Sequence, residues 1–402
     1  MIENAGHPTM PLSVSKAMVA LLALLLAQSN LLSVGEHKPF SRIEDAVAAA
    51  KPGDTIEVWP RPEGYSRTAV RITTSHLTIH GLGKKRVAID GEGFEYSGVG
   101  ATPRAIFQID PEAEGVTITG FELRGAHNQS HNGAGIRINA ARNATVENCD
   151  IHHNDMGIMS NGKDGDSRAA EHQEITLCRI HENGSAAEPG QNHNLYLGGA
   201  SVTLFASEIY GALTGHNVKS RAHFTLIRSC HIYGGDNRAI DLVDSWYTEG
   251  PNSNAALIGN VIGMNPDAAG NRNVVHFGQE HGKRNGSLFL LNNTIATPFA
   301  SPIVLMDTPQ GQVFAFNNDI KNDAQKNPVL FEVVGGARLT AFSGGANRIT
   351  PNYRPYPALL GKTPDPRVRY IDGEGVSRDG RSMLKYRDGL WVAAEQPMFG
   401  AQ

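Results

Sequence analysis

Apolar residues recur along most of this chain in a six-residue phrase: apolar, any, any, small or polar, any, Ile. Its first four copies are Val146-Glu-Asn-Cys149-Asp-Ile151, Ile175-Thr-Leu-Cys178-Arg-Ile180, Leu204-Phe-Ala-Ser207-Glu-Ile209 and Ile227-Arg-Ser-Cys230-His-Ile232. Three more follow: Leu257-Ile-Gly-Asn260-Val-Ile262, Leu290-Leu-Asn-Asn293-Thr-Ile295 and Ala315-Phe-Asn-Asn318-Asp-Ile320. Successive starts lie 29, 29, 23, 30, 33 and 25 residues apart. A helical repeat would hold its period, whereas this spacing fits β-coils carrying loops of variable length. Each unit then reads as a short strand, a polar bend and a second strand opening with Ile. Coils stacked in register set Ile above Ile in a continuous core that no single coil could bury. The bend position becomes a ladder of Cys149, Cys178, Ser207, Cys230, Asn260, Asn293 and Asn318. Such small side chains can hydrogen-bond the backbone and the next rung. All three cysteines of the chain fall on this ladder, so they are expected to be buried packing residues rather than a disulfide or a reactive thiol.

A second phrase, apolar, X, apolar, recurs between copies of the first. Its members are Ile136-Arg137-Ile138, Leu195-Tyr196-Leu197, Val218-Lys219-Ser220, Ile240-Asp241-Leu242, Val275-His276-Phe277 and Ile303-Val304-Leu305. Alternate side chains of a strand point to opposite faces. Stacked registers would therefore set Arg137, Tyr196, Lys219, Asp241 and His276 on one exposed ridge, with rungs about 4.8 Å apart. Earlier coils are read at Leu77-Thr-Ile79 and Val116-Thr-Ile118. The segment Phe40–Ala50 reads as an amphipathic helix with Ser41 as N-cap and Glu44 three residues on. Such a helix would cover the open first rung, and Pro52-Gly-Asp54 would turn the chain into the strand Thr55–Val58. Beyond residue 345 the repeat is lost and Pro, Gly and Arg accumulate, as in an irregular C-terminal cap or arm.

Composition narrows the setting. The chain is 40% hydrophobic with a net charge of −4, so no basic excess points to nucleic acid. Lys16 precedes an apolar run from Ala17 to Ala27, followed by Gln28-Ser29. That run is short for a bilayer span and reads as a secretory signal peptide. No later segment reads as a membrane span. The expected organisation is a signal peptide over 1–29, a solenoid over 38–345 and a cap or arm over 346–402, exported to the periplasm or the medium.

The capping helix, the Pro-Gly-Asp turn, the irregular coils and the asparagine ladder together resemble the pectate-lyase-like superfamily. That resemblance implies an all-β, right-handed parallel β-helix. The superfamily holds lyases, glycoside hydrolases, epimerases and tailspikes, so fold does not choose a chemistry. Within it, Asn217-Val-Lys219-Ser220 resembles the Asn-x-Lys-Ser strand of the chondroitinase-B and alginate-lyase family, whose lysine is the proposed base. That family continues with Leu-Arg-His where this chain has Ala239-Ile-Asp241-Leu. Its acidic calcium site has no clear counterpart either. Calcium is the one metal the resemblance brings into question, and its ligands stay unassigned.

The favoured chemistry is β-elimination from a uronate-containing acidic polysaccharide. A base removes the proton α to the carboxylate while cations neutralise the charge that develops on its oxygens. Lys219 is the candidate base, and Arg221, Arg238, His216 and Asp241 are its candidate catalytic neighbours. Arg137, His193, Asn194, Tyr196, Asn217, Asp244, His276 and Glu280 are the candidate substrate contacts. Plainer roles stay open: His193 and His216 as strand caps, Lys219 as the ion-pair partner of Asp241, and Glu280 as a solvated loop acid. So do three rival functions: a glycoside hydrolase pairing Asp241 with Asp244, an epimerase, and a non-catalytic glycan-binding solenoid.

Overall fold

At each copy of the six-residue phrase the backbone turns through a single left-handed residue. These residues are Asn148, Leu177, Ala206, Ser229, Gly259, Asn292 and Asn317, with φ between 47° and 62°. Six of the seven are not glycine, and each such turn is disfavoured by about 1–2 kcal/mol. At five of the seven, the ladder residue that follows compensates by bonding the next coil through its backbone amide. Cys178 N donates to Ser207 Oγ at 3.1 Å, and Cys230 N to Asn260 Oδ1 at 2.9 Å. The chain of bonds continues through Asn293 and Asn318 to Asn347, each at 2.9 Å. All three cysteines are buried and unpaired, as their ladder positions predict.

This computed structural model describes residues 30–98, 103–309, 311–324, 328–337, 342–345 and 347–350. It also describes the backbone of an antiparallel pair, Arg381–Arg387 with Leu390–Phe399. The expected signal peptide and most of the expected C-terminal cap lie outside the described residues. Among the described residues, three all-parallel sheets of twelve, eleven and ten strands wind around one core. Sheet I takes the first strand of each phrase, such as Thr145–Glu147. Sheet II takes the second, such as Asp150–His152. Sheet III takes the apolar-X-apolar strands, such as Val218–Ser220.

The expected isoleucine column is present in sheet II. Ile151, Ile180, Ile209, Ile232, Ile262, Ile295 and Ile320 pair in direct register from coil to coil. All are essentially sealed from solvent, and burial of each side chain contributes about 1.5–3 kcal/mol. Among the described residues no helix is long and apolar enough to cross a membrane.

Three details depart from the sequence reading. The helix spans Ile43–Ala49, so Arg42 rather than Ser41 holds the N-cap position, and no side chain caps it. Glu44 instead contacts Arg42 and the Ala69 amide. A strand at Leu31–Val34 forms the outermost rung of sheet I, ahead of the helix that packs against it. In sheet III, Val304 pairs with Val275 in the buried column, and Leu305 takes the ridge position opposite His276. Register follows the inward apolar column, which Val304 continues and Ile303 precedes.

A second asparagine ladder, not read from the sequence, runs between sheets II and III. Asn154, Asn183, Asn194 and Asn217 link side chain to side chain at 2.9–3.0 Å. This ladder fixes the entry of the strands Leu195–Leu197 and Val218–Ser220, on which the candidate site stands.

Candidate functional site

The outward column of sheet III reads Arg71, Gln108, Arg137, Met159, Tyr196, Lys219, Asp241, His276, Leu305 and Glu332. All five expected ridge residues occupy it in the expected order. The ridge faces away from the core, yet its centre is not exposed: Asp241 is 0% accessible, His276 4% and Lys219 7%. Side chains from flanking turns and loops close over it, chiefly Arg221, Arg238 and Glu280.

Asp241 is the hub. Its Oδ1 meets His276 Nδ1 at 2.9 Å and Arg238 Nη1 at 3.1 Å. Its Oδ2 lies 3.2 Å from both Lys219 Nζ and His216 Nε2. Burial alone would raise this carboxyl, but His216, His276 and Lys219 together hold it well below the usual carboxylate range. It is therefore an ionised anchor around which the cations gather.

Lys219 has a second carboxylate on its other side. Its Nζ donates to Glu280 Oε1 at 2.5 Å, while Arg221 grips Glu280 Oε2. Burial works against ionisation of Glu280, yet the Lys219 and Arg221 charges outweigh it and lower its pKa. Arg221 Nε also donates to the Tyr196 hydroxyl at 2.8 Å. Arg238 is steadied by Asn273 Oδ1 at 2.6 Å.

Asp244 has a different job from Asp241. Its carboxylate accepts the backbone amides of Glu280 and His281, and its carbonyl accepts from Arg221. It pins the loop that presents Glu280. Asn194 and Asn217 belong to the second ladder, with their side-chain amides committed there. Arg137 lies on the same ridge, three rungs from Lys219.

His193 and His216 stack at 5.0 Å between ring centres, and His193 also stacks on Tyr196 at 5.6 Å. His193 Nδ1 accepts the His216 backbone amide at 2.9 Å, so the neutral ring carries its proton on Nε2. Burial, with His216 and Lys219 adding to it, pushes the His193 pKa well below 6.5. Burial lowers that of His216 too, against the opposing pull of Asp241.

Groups held neutral in the fold take up protons more readily once unfolded, so their contribution is complete above pH 6.5 and is lost as pH falls below it. His152 and His223 share this direction, whereas His127 and His181 oppose it. The informative quantity is therefore a difference between variants. The thermal midpoint of His193→Gln is expected to fall less steeply than that of the wild type between pH 7 and pH 5, measured by circular dichroism. Parallel curves would refute a buried neutral His193.

The residues around the ridge do not suit calcium, which takes several oxygen ligands at once. Asp241, Asp244 and Glu280 are each turned toward cations or backbone amides rather than toward a shared centre. Asp150, His152 and His181 form the metal-spaced cluster found among the described residues. That cluster lies on sheet II and supplies two nitrogens, and its carboxylate is already met by Arg179 and Arg86.

Sequence reading missed Arg71, Gln108 and Met159 on the ridge. Val70-Arg71-Ile72, Phe107-Gln108-Ile109 and Ile158-Met159-Ser160 follow the same alternation, so the signal was present in coils that precede or interrupt the clearer copies.

No sequence-family model matches the chain, and no curated protein does. Among solved structures it is similar to a DFA-IIIase from Arthrobacter chlorophenolicus A6 without its lid, at 13% identity and a TM-score of 0.52. That match covers 82% of this chain and 100% of the other. Pectate lyase Pel9A matches at 14% identity over 92% of this chain and 88% of that one, with a TM-score of 0.47. The A-module of a mannuronan C-5 epimerase from Azotobacter vinelandii matches at 13% identity over 77% and 96%, with a TM-score of 0.39. Likeness at such identities is a likeness of fold. Three all-parallel sheets around a single core, matched along the whole length of the lidless DFA-IIIase, make this chain a right-handed parallel β-helix.

Proposed function

We propose that the ridge of sheet III binds an acidic glycan and cleaves it beside a uronate by β-elimination, with Lys219 as the base. The observation that supports this reading is the charge balance of the buried cluster. Lys219, Arg221 and Arg238 converge on Asp241 and Glu280, three cations against two carboxylates, so an anionic substrate group completes the site. Hydrolysis by paired carboxylates needs one of them kept protonated by a raised pKa. Asp241 and Glu280 are both shifted the other way, and Asp244 is occupied in holding a loop.

In the free site Lys219 is clamped between the carboxylates of Asp241 and Glu280. A substrate carboxylate that replaces Glu280 on Arg221 releases one side of that clamp. The amine takes the proton α to the uronate carboxylate, and the electron pair spreads onto oxygens held by Arg221. The bond from C4 to the glycosidic oxygen breaks, a C4–C5 double bond forms, and the leaving oxygen takes up a proton. Tyr196, on the next rung, is the neighbouring group with a proton to give.

The test is ultraviolet absorbance of the conjugated double bond during incubation with alginate, polygalacturonate, glycosaminoglycans and bacterial exopolysaccharides. A rise on at least one uronate is expected. New reducing ends without that absorbance would replace elimination by hydrolysis. Solvent deuterium entering C5 without cleavage would replace it by epimerisation, and glycan binding with no reaction would leave a binding solenoid.

A further inference from the structure

Upstream of this cluster lie two arginines that no carboxylate meets among the described residues: Arg137 on the ridge, and Arg104 just before the strand Ala105–Ile109. Arg137 is 5% accessible. Its guanidinium donates to Asn139 Oδ1 at 2.9 Å and lies 2.9 Å from Met159 Sδ, both neutral partners. Burial, with a further push from the neighbouring Arg104, lowers its pKa to about 10. Arg104 is itself half-buried, and its Nε is sealed from solvent with no partner. The nearest carboxylate in this network, Asp110, is taken by Arg71, Gln108 and Asn139.

A buried cation beside a half-buried one, with no counter-ion among the described residues, is destabilising, since buried charges ordinarily occur paired. An arrangement of this kind makes sense where an anion arrives from outside. Arg137 and Lys219 share one column with Met159 and Tyr196 between them, a separation of three rungs, or about 14 Å. Those two intervening side chains pack on a small apolar cluster of Ala105, Ala134 and Met156. The ridge therefore alternates cation, apolar floor, cation.

We infer that Arg104 and Arg137 form a second anion subsite, which holds the carboxylate of another uronate in the same glycan chain while Lys219 and Arg221 engage the one that reacts. This inference rests on the glycan reading above and deepens it: the substrate is a polyanion with charge on several sugars, and a disaccharide is too short to reach both sites.

Calorimetric binding of uronate disaccharides and hexasaccharides to wild type and Arg137→Leu tests it, with oligogalacturonates and oligomannuronates as probes. The variant should bind the hexasaccharide roughly tenfold or more weakly, the worth of a charge-assisted contact, and the disaccharide as the wild type does. Equal weakening at both lengths, or none at either, overturns the subsite. Stability gives a second readout. A structural arginine would leave the variant less stable, whereas removal of an unpaired buried charge should leave the thermal midpoint unchanged or raised. If no oligouronate binds the wild type, the glycan reading fails, and inorganic sulfate decides the anion site alone. Stabilisation by sulfate in wild type but not in Arg137→Leu keeps the site, and equal behaviour of the two proteins removes it.

Discussion

Replacing Asp241 by alanine is expected to lower the free energy of unfolding by about 3–5 kcal/mol, the usual consequence of removing one member of a buried charge cluster. The carboxylate is fully buried and meets Lys219, Arg238, His216 and His276 within 3.2 Å. Without it, Arg238 loses its ion-pair partner and Lys219 is left with Glu280 alone. The urea midpoint of Asp241→Ala should fall well below that of the wild type. Adding Lys219→Met to the same background should restore part of the loss, because contacting charges couple. Strictly additive effects of the two changes would show that Asp241 and Lys219 do not act as a pair.

Lys219→Arg is expected to retain the fold and lose about a hundred- to ten-thousand-fold in kcat/KM on the cleaved uronate, the range for removal of a general base. Arginine keeps a positive charge between Asp241 and Glu280 but does not give up its proton at working pH. The substitution thus separates the two roles that alanine would remove together. Activity near the wild-type level in Lys219→Arg would make this residue an electrostatic partner and move the base elsewhere. An unchanged urea midpoint is the control that loss of rate is not loss of structure.

Much of the fold was legible because a solenoid is a one-dimensional problem. Ile151 and Ile180 occupy the same place in consecutive copies of one phrase, and in the structure they are direct partners. The ladder cysteines were identifiable for the same reason. The ridge order from Tyr196 through His276 followed from strand alternation alone. Where the phrase was ambiguous, the reading slipped by one residue, as at Val304, because two adjacent apolar side chains leave the inward one undetermined until its neighbours are in place.

The site itself was only half legible. Lys219 and Asp241 came from neighbouring strands, but Glu280 reaches Lys219 across 61 residues of sequence, from a loop whose length carries no periodic signal. Asn194 and Asn217 looked like substrate contacts in sequence because each precedes a ridge strand, yet they face each other along the coil edge and bond there.

What the sequence by itself determined is the repeat: which residues enter the core, which form the bend ladder, and which share the outward column. These follow from a period of two along each strand and from the identity of successive coils. What only the tertiary structure decided is the electrostatics. Burial of the ridge's centre, the clamp of two carboxylates on Lys219 and the lack, among the described residues, of a carboxylate for Arg104 and Arg137 depend on where irregular loops return and on how much solvent they exclude. Charge interactions and desolvation act through space over a few ångströms, and residues far apart in the chain come that close only once the coils have stacked.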